Sequence, residues 1–189
     1  MHVILFRHGP AGRSDPKRWP DDRERPLSSR GEKKTRQAAE GLARLLQGLG
    51  ADRIAVWTSP LVRADQTARR LADALGGGKA SEPQVVAGLA PGGSMRGLLE
   101  RLTALAEEKG DGEVVVVLVG HEPDLGILAG DLAFDPPSPV PLKKAGAAAV
   151  WFENAPRRRT GALEWLLPPR LLRALAKRKK SIPSGSEGS

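Results

Sequence analysis

Val114-Val115-Val116-Val117-Leu118-Val119 is an unbroken apolar run of six residues, five of them β-branched. A strand with one wet face alternates apolar and polar side chains, and this run has no wet face. It is expected at the centre of a sheet covered on both sides, the usual setting of parallel strands. Parallel strands need crossover connections, so the rest of the chain must supply alternating strands and helices. Val3–Phe6 reads as a first strand, Ile54–Trp57 as a second and Val85-Val86 as a short third. Ser28 or Ser29 caps a first helix, with Ser29 and Glu32 in capping-box spacing. Ala38, Leu42, Leu45, Leu46 and Leu49 then recur at helical intervals until Gly50. A second helix is expected near Leu61–Leu75, ended by Gly76-Gly77-Gly78, and a third around Leu98, Leu99, Leu102 and Leu105. Ala147–Phe152 and Ala162–Leu167 read as two late strands in a hairpin around Arg157–Gly161. Asp135–Pro141, with four prolines, is a loop. Pro168-Pro169 opens a short basic helix, roughly Arg170–Lys177. The expected fold is therefore α/β, a three-layer sandwich around a mostly parallel central sheet.

A chain of 189 residues, 40% hydrophobic and 28% charged, fits one domain with a sizeable core. That domain is expected to span 1–175, followed at 176–189 by a basic, then Ser/Gly-rich tail expected to be disordered. No run approaches the roughly 20 apolar residues of a membrane span. The chain opens directly on a strand with no basic and apolar leader, so a cytoplasmic protein is expected. Cysteine is absent, which excludes disulfides and thiolate metal ligands, and three histidines make a dedicated transition-metal site unexpected. The net charge of +8 has one source: nine cations and a single acid, Glu164, lie between Arg157 and Lys180. The remainder of the chain is electrically balanced.

Three predicted strands run into residues suited to a phosphoryl group. Val3–Phe6 leads to Arg7-His8-Gly9, and Ile54–Trp57 to Thr58-Ser59-Pro60-x-x-Arg63-Ala64-x-Gln66-Thr67. The valine run leads to Gly120-His121-x-Pro123. Open α/β sheets bind ligands at the carboxyl ends of their strands. Guanidinium matches phosphate oxygens bidentately and keeps its charge. A neutral imidazole can attack phosphorus and carry the phosphoryl group, splitting hydrolysis into two easier steps. Gly9 lets the backbone come close to whatever binds. Singly, each feature has a plainer explanation: a structural histidine, a solvent-facing arginine, a Ser-Pro helix start. Jointly, at one sheet edge, they argue for a shared phosphate pocket.

With Arg25-Pro26-Leu27-Ser28-x-x-Gly31, these segments resemble the histidine phosphatase superfamily, the phosphoglycerate-mutase-like proteins. Chain length and Leu89-Ala90-Pro91-Gly92-Gly93 resemble its small SixA-type phosphohistidine phosphatases. The resemblance covers the chain from residue 1 to about residue 175. It implies a phosphoglycerate-mutase-like fold and a metal-independent, cofactor-free phosphatase working through a phosphohistidine enzyme intermediate. It further implies that His8 is the nucleophile, that Arg7 and Arg63 bind the phosphoryl group, and that His121 is the fourth member. Gly9 is expected against the substrate. Gln66 and Thr67 are read as support for Arg63 or for helix packing. Trp57, Trp151 and Trp165 are read as core or sheet-face packing, and Trp19 as a residue of the pocket mouth. His2 fits no motif.

Phosphomonoesterases and mutases of this superfamily add a carboxylate that protonates the leaving alkoxide. Gly88, in Val86-Ala87-Gly88-Leu89-Ala90-Pro91, stands in the neighbourhood where the resemblance would place it. Glu82, Glu122, Asp124, Asp15, Asp21 and Asp22 are the substitutes the sequence offers. General acid catalysis contributes about 10²–10⁴-fold. An alkoxide leaving group needs it, whereas a phosphoramidate expels a neutral imidazole. The expected partner is a protein carrying phosphohistidine, reaching a shallow site rimmed by residues 13–25 and 135–141. A small phosphate ester is one alternative, and a phosphate-recognition module without turnover is another, against which the pair His8 and His121 argues. Weak, salt-dependent polyanion binding by Lys177–Lys180 is a third, set against a merely solvated tail. A mutase needs a closed site, for which the chain leaves little room.

Overall fold

The valine run is buried along its whole length, from Val114 to Gly120, because strands flank it on both edges and helices cover both its faces. A computed structural model describes residues 1–51, 53–76, 82–108 and 112–177. In chain order the elements are β1 (His2–Arg7), α1 (Ser29–Gly48), β2 (Arg53–Thr58), α2 (Val62–Leu75), β3 (Gln84–Val85) and α3 (Met95–Glu108). They continue with β4 (Val114–Gly120), α4 (Asp124–Ala133), β5 (Ala147–Trp151), β6 (Ala162–Leu167) and α5 (Pro169–Lys177). Short 3₁₀ turns stand at Asp22–Glu24 and Ala87–Leu89. The six strands form one mixed sheet in the order β3-β2-β4-β1-β5-β6. β3, β2, β4 and β1 are mutually parallel, and β5 runs antiparallel between β1 and β6.

Alternation along β4 divides the core into two halves. Val114, Val116 and Leu118 pack with α3 and α4, through Leu98, Leu102, Leu125 and Leu128. Val115, Val117 and Val119 pack with α1, α2 and α5, through Leu42, Leu46, Leu71 and Leu172. The expected three-layer α/β sandwich is the fold observed. At the sheet end away from the motif residues, His2 is buried with Nδ1 3.0 Å from Glu113 Oε1 and Nε2 3.1 Å from Glu164 Oε2. The histidine outside every motif thus joins β1 to β6 and to the segment entering β4.

Several local expectations are corrected. Ser28, not Ser29, caps α1, its hydroxyl accepting from Gly31 N–H at 3.0 Å, and the Glu32 side chain pairs with Arg70 instead. The third strand is Gln84–Val85, with Val85 exposed. Trp57 is buried beneath the Arg101 guanidinium, but Trp151 is exposed on the sheet. Helix α4 has no counterpart in the sequence reading. Seven of its ten residues are buried, so no wet stripe marks it as amphipathic. The basic stretch is divided: Arg158 and Arg159 pair with Asp131 and Asp135 at the β5–β6 connection, while Arg170, Arg173 and Lys177 lie on α5. The tail beyond Lys177 and the Gly77-Gly78 part of the expected break lie outside the described residues. Among those described, no helix is long and apolar enough to cross a membrane.

Helix α5 closes on α1 at Gly41, where an added Cβ would run into the Leu172 carbonyl. Gly41→Ala is therefore expected to destabilise the fold by about 1–3 kcal/mol, the usual cost of overpacking. Gly48→Ala, on the same helix with open space around it, should instead stabilise by up to about 1 kcal/mol. Calorimetric melting of both variants checks the pair, and equal shifts would contradict this packing.

Candidate active site

The carboxyl ends of β1, β2 and β4 lie side by side, and each delivers one part of the motif set. Arg7 is in register with Gly120, and His8 N–H donates to the Gly120 carbonyl at 3.0 Å. Ser59 N–H donates to Val119 O at 2.9 Å, which brings the β2 end alongside. His8 and His121 face each other with ring centroids 4.9 Å apart and planes tilted by 51°. His8, Arg63 and His121 are 6%, 5% and 3% exposed. Three buried residues from positions 8, 63 and 121, with the half-buried Arg7 beside them, thus share one corner.

Neighbouring backbone and hydroxyls hold each side chain. His8 Nδ1 lies 2.7 Å from the Gly9 carbonyl. A carbonyl only accepts, so Nδ1 carries the proton and Nε2 is the bare nitrogen. Gly9 N–H donates to Thr67 Oγ1 at 3.1 Å, and that hydroxyl donates to Arg63 O at 2.8 Å. Thr67 therefore supports the Gly9 turn from α2, and Gln66 supports the rim by accepting Leu27 N–H at 2.8 Å. Gly9 itself packs on α1 so closely that a Cβ would occupy the position of Thr35 Oγ1. His121 Nε2 lies 2.9 Å from Ser59 Oγ.

The two guanidinium groups are anchored from behind. Arg7 Nη1 donates to Leu142 O at 2.7 Å, and Leu142 N–H donates to Glu122 Oε1 at 2.7 Å. Arg63 Nη1 donates to the Asp22 carbonyl at 2.7 Å, and its Nη2 lies 3.1 Å from Asp22 Oδ2. Arg25 holds the other Asp22 oxygen at 2.6 Å. Nε of Arg7 and Nε of Arg63 are buried with no hydrogen-bond partner among the described residues. Buried donors are normally paired, so this corner is a donor set suited to an oxyanion. Burial lowers both arginine pKa values, with Glu122 opposing at Arg7 and Asp22 at Arg63. Burial, then His121 and the arginines, pushes His8 down to about 3 against the pull of its Gly9 bond. Burial, then Arg63 and Arg7, pushes His121 down to about 4. Both imidazoles are neutral at pH 7.

The candidate acids separate clearly. Gly88 lies in the 3₁₀ turn, and a Cβ there would stand 3.1 Å from the Ser94 carbonyl. Glu82 is exposed, Asp124 accepts Gly92 N–H, and Glu122 is bound to Leu142. Asp15 accepts the N–H groups of Lys17 and Arg18, and Asp21 caps the Asp22–Glu24 turn. Asp22 touches a site residue, and the Arg25 hydrogen bond, with Arg63 behind it, holds its carboxyl below the usual range. Trp19 lies against Arg18 in an outer groove of about 210 Å³ with Gly12, Pro26 and Leu27. Thr67 has the supporting place beside Arg63 that its motif suggested, whereas the anchoring roles of Asp22 and Leu142 were the part the motifs did not announce.

Comparison with known proteins identifies the family. The chain belongs to the histidine phosphatase superfamily (branch 1), whose sequence model matches residues 3–101. It is a phosphatase of SixA-like build. An uncharacterized protein of Picosynechococcus sp. is 42% identical over 151 residues, 77% of this chain and 82% of the relative. Phosphohistidine phosphatase SixA of Escherichia coli is 28% identical over 89% of this chain and 94% of its own. The structure of the protein histidine phosphatase SixA complexed with tungstate superposes with a TM-score of 0.74 at 27% identity, covering 91% of this chain and 99% of that one.

The lowered histidine pKa values have a consequence for stability. Between pH 6.5 and about 4, the unfolded chain binds protons at both histidines that the folded chain refuses. Their contribution is complete above pH 6.5 and is lost as pH falls toward the folded values. At pH 4.5 the His8 share of this loss is about 3 kcal/mol. Urea unfolding at pH 7.5 and 4.5 should show a smaller acid loss for His8→Gln than for the wild type. Equal losses would contradict a neutral buried His8.

Proposed function

We propose that the chain dephosphorylates phosphohistidine on a protein, with His8 as nucleophile. The observation that carries this reading is what stands at the acid position: it is Gly88, where a Cβ would already lie 3.1 Å from the Ser94 carbonyl, and Asp22, the carboxylate that touches Arg63, is bound by two arginines. An alkoxide leaving group lacks a proton donor in such a site. A phosphorylated imidazole protonated on its second nitrogen leaves as neutral imidazole and needs none.

In the proposed reaction the bare Nε2 of His8 attacks phosphorus as the substrate P–N bond breaks, and the substrate histidine departs neutral. Arg7 and Arg63 stabilise the charge on the transferred oxygens, where positioning and electrostatics supply most of the catalysis. His121, neutral like His8, serves as a hydrogen-bond donor to the same oxygens, with Ser59 as its neighbour. Water then attacks the phosphorylated His8, releasing inorganic phosphate and restoring Nε2. Asp22 is a positioning residue, orienting Arg63 from outside. The positive charge the reaction needs is supplied by arginine, so turnover in EDTA is expected.

The test compares wild type, His8→Ala and Arg63→Ala on a phosphohistidine protein and on a panel of sugar phosphates, with EDTA present. The expected result is turnover of phosphohistidine only, abolished in His8→Ala and reduced about 10²–10³-fold in Arg63→Ala. Turnover of the esters instead would establish the small-molecule alternative. Phosphate binding without turnover would establish a recognition module.

A further inference from the structure

The turn at residues 142–146 is bonded directly to the Arg7–His8 backbone. Ala145 N–H donates to the carbonyls of both Arg7 and His8 at 3.1 Å, and the Gly146 carbonyl accepts Arg7 N–H at 3.0 Å. Leu142, as described, accepts the Arg7 guanidinium. Ala145 is 1% exposed and sits at φ +59°, the left-handed region that non-glycine residues rarely adopt. Such a conformation persists only where its surroundings enforce it, and it gathers at functional sites. Between these anchors the turn presents Lys143 and Lys144, both exposed and both without a carboxylate partner among the described residues. They are two adjacent cations on a rigid support, each within two residues of an atom bonded to His8.

The segment that anchors Arg63 does not compete with them. Residues 13–25 carry five cations and four acids, with Asp22 and Arg25 spent on each other and on Arg63. Glu122 is spent on the Leu142 N–H below the turn. The lysine pair therefore sets the sign of the catalytic rim, in a chain whose other excess charge lies between residues 157 and 180.

We propose that Lys143 and Lys144 dock an acidic protein face that flanks the phosphohistidine of the substrate. This rests on the protein-phosphohistidine reading above. It adds the chemistry of the partner: carboxylates beside the modified histidine, with charge attraction guiding the approach and fixing its register.

The experiment measures kcat/KM of wild type, of the double variant Lys143→Glu with Lys144→Glu, and of the double arginine variant. Two substrates are used, an acidic folded protein phosphorylated on histidine and a short uncharged phosphohistidine peptide, each at low and high salt. The expected result is a fall of about 10-fold or more for the glutamate variant on the acidic protein, with a flattened salt dependence. The arginine variant should retain activity, and the peptide should be affected far less by either. Equal falls on both substrates, or no fall on the protein, would overturn the proposal. Wild-type turnover of the peptide with no gain on the acidic protein would overturn it while leaving the phosphohistidine reading intact. Turnover of neither substrate would remove that reading and the docking proposal with it. Single-stranded DNA binding that the glutamate variant loses, without loss on the acidic protein, would make the rim a nucleic-acid contact and also defeat the proposal.

Discussion

Between β1 and β4 the parallel ladder runs from His2 opposite Val115 to Arg7 opposite Gly120, then takes one more bond, His8 N–H to Gly120 O. That last bond brings both histidines out of the sheet at the same level. Neither strand's apolar pattern can set this register, because both are buried on both faces, and a slip would cost little in alternation alone. The polar ends do so. His2 meets Glu113 at the near end, and the Arg7–His8 backbone meets Gly120 and the 142–146 turn at the far end. A slip by one residue would separate these partners and leave buried polar groups unpaired, at about 1–3 kcal/mol for each.

From that alignment the electrostatics of the corner follow. Two arginines and two imidazoles are packed together out of water, and the imidazoles respond by staying neutral. Each arginine keeps a carboxylate behind it: Glu122 reaches Arg7 through Leu142, and Asp22 grips Arg63 directly. The negative charge is thus placed on the outer side of the guanidinium groups, with the Nε atoms left unpaired within. A site organised this way attracts an oxyanion without first breaking an internal ion pair at every donor. The same outer layer also consumes the carboxylates that could otherwise have served as proton donors.

How much of this was legible depended on what each residue interacts with. Strand ends and their motif residues were legible because hydrophobic runs, Ser-Pro starts and Arg-His-Gly are local patterns. The capping assignment at Ser28 turned on which hydroxyl faced Gly31, a one-residue choice that local spacing left open. Helix α4 was invisible because burial on nearly all sides removed the amphipathic stripe that periodicity detects. Trp151 sits in a predicted strand yet is exposed at the end of β5, because a strand pattern does not say where the helical cover of a sheet face stops. His2 carried no motif because its partners, Glu113 and Glu164, are more than a hundred residues away.

The sequence by itself determined the layered α/β architecture, since the valine run cannot be solvated and the intervening stretches have helical period. It also determined the chemical inventory of the site, because Arg7, His8, Arg63 and His121 each follow a strand or begin a helix in recognisable company. Tertiary structure alone decided the state of that inventory: which histidine nitrogen is bare, how far burial lowers each pKa, which carboxylates are already spent. It alone decided that Gly88 lies beneath a carbonyl and that Lys143 and Lys144 stand on a turn bonded to His8. These are properties of distance and desolvation between residues remote in the chain, and a linear pattern records neither.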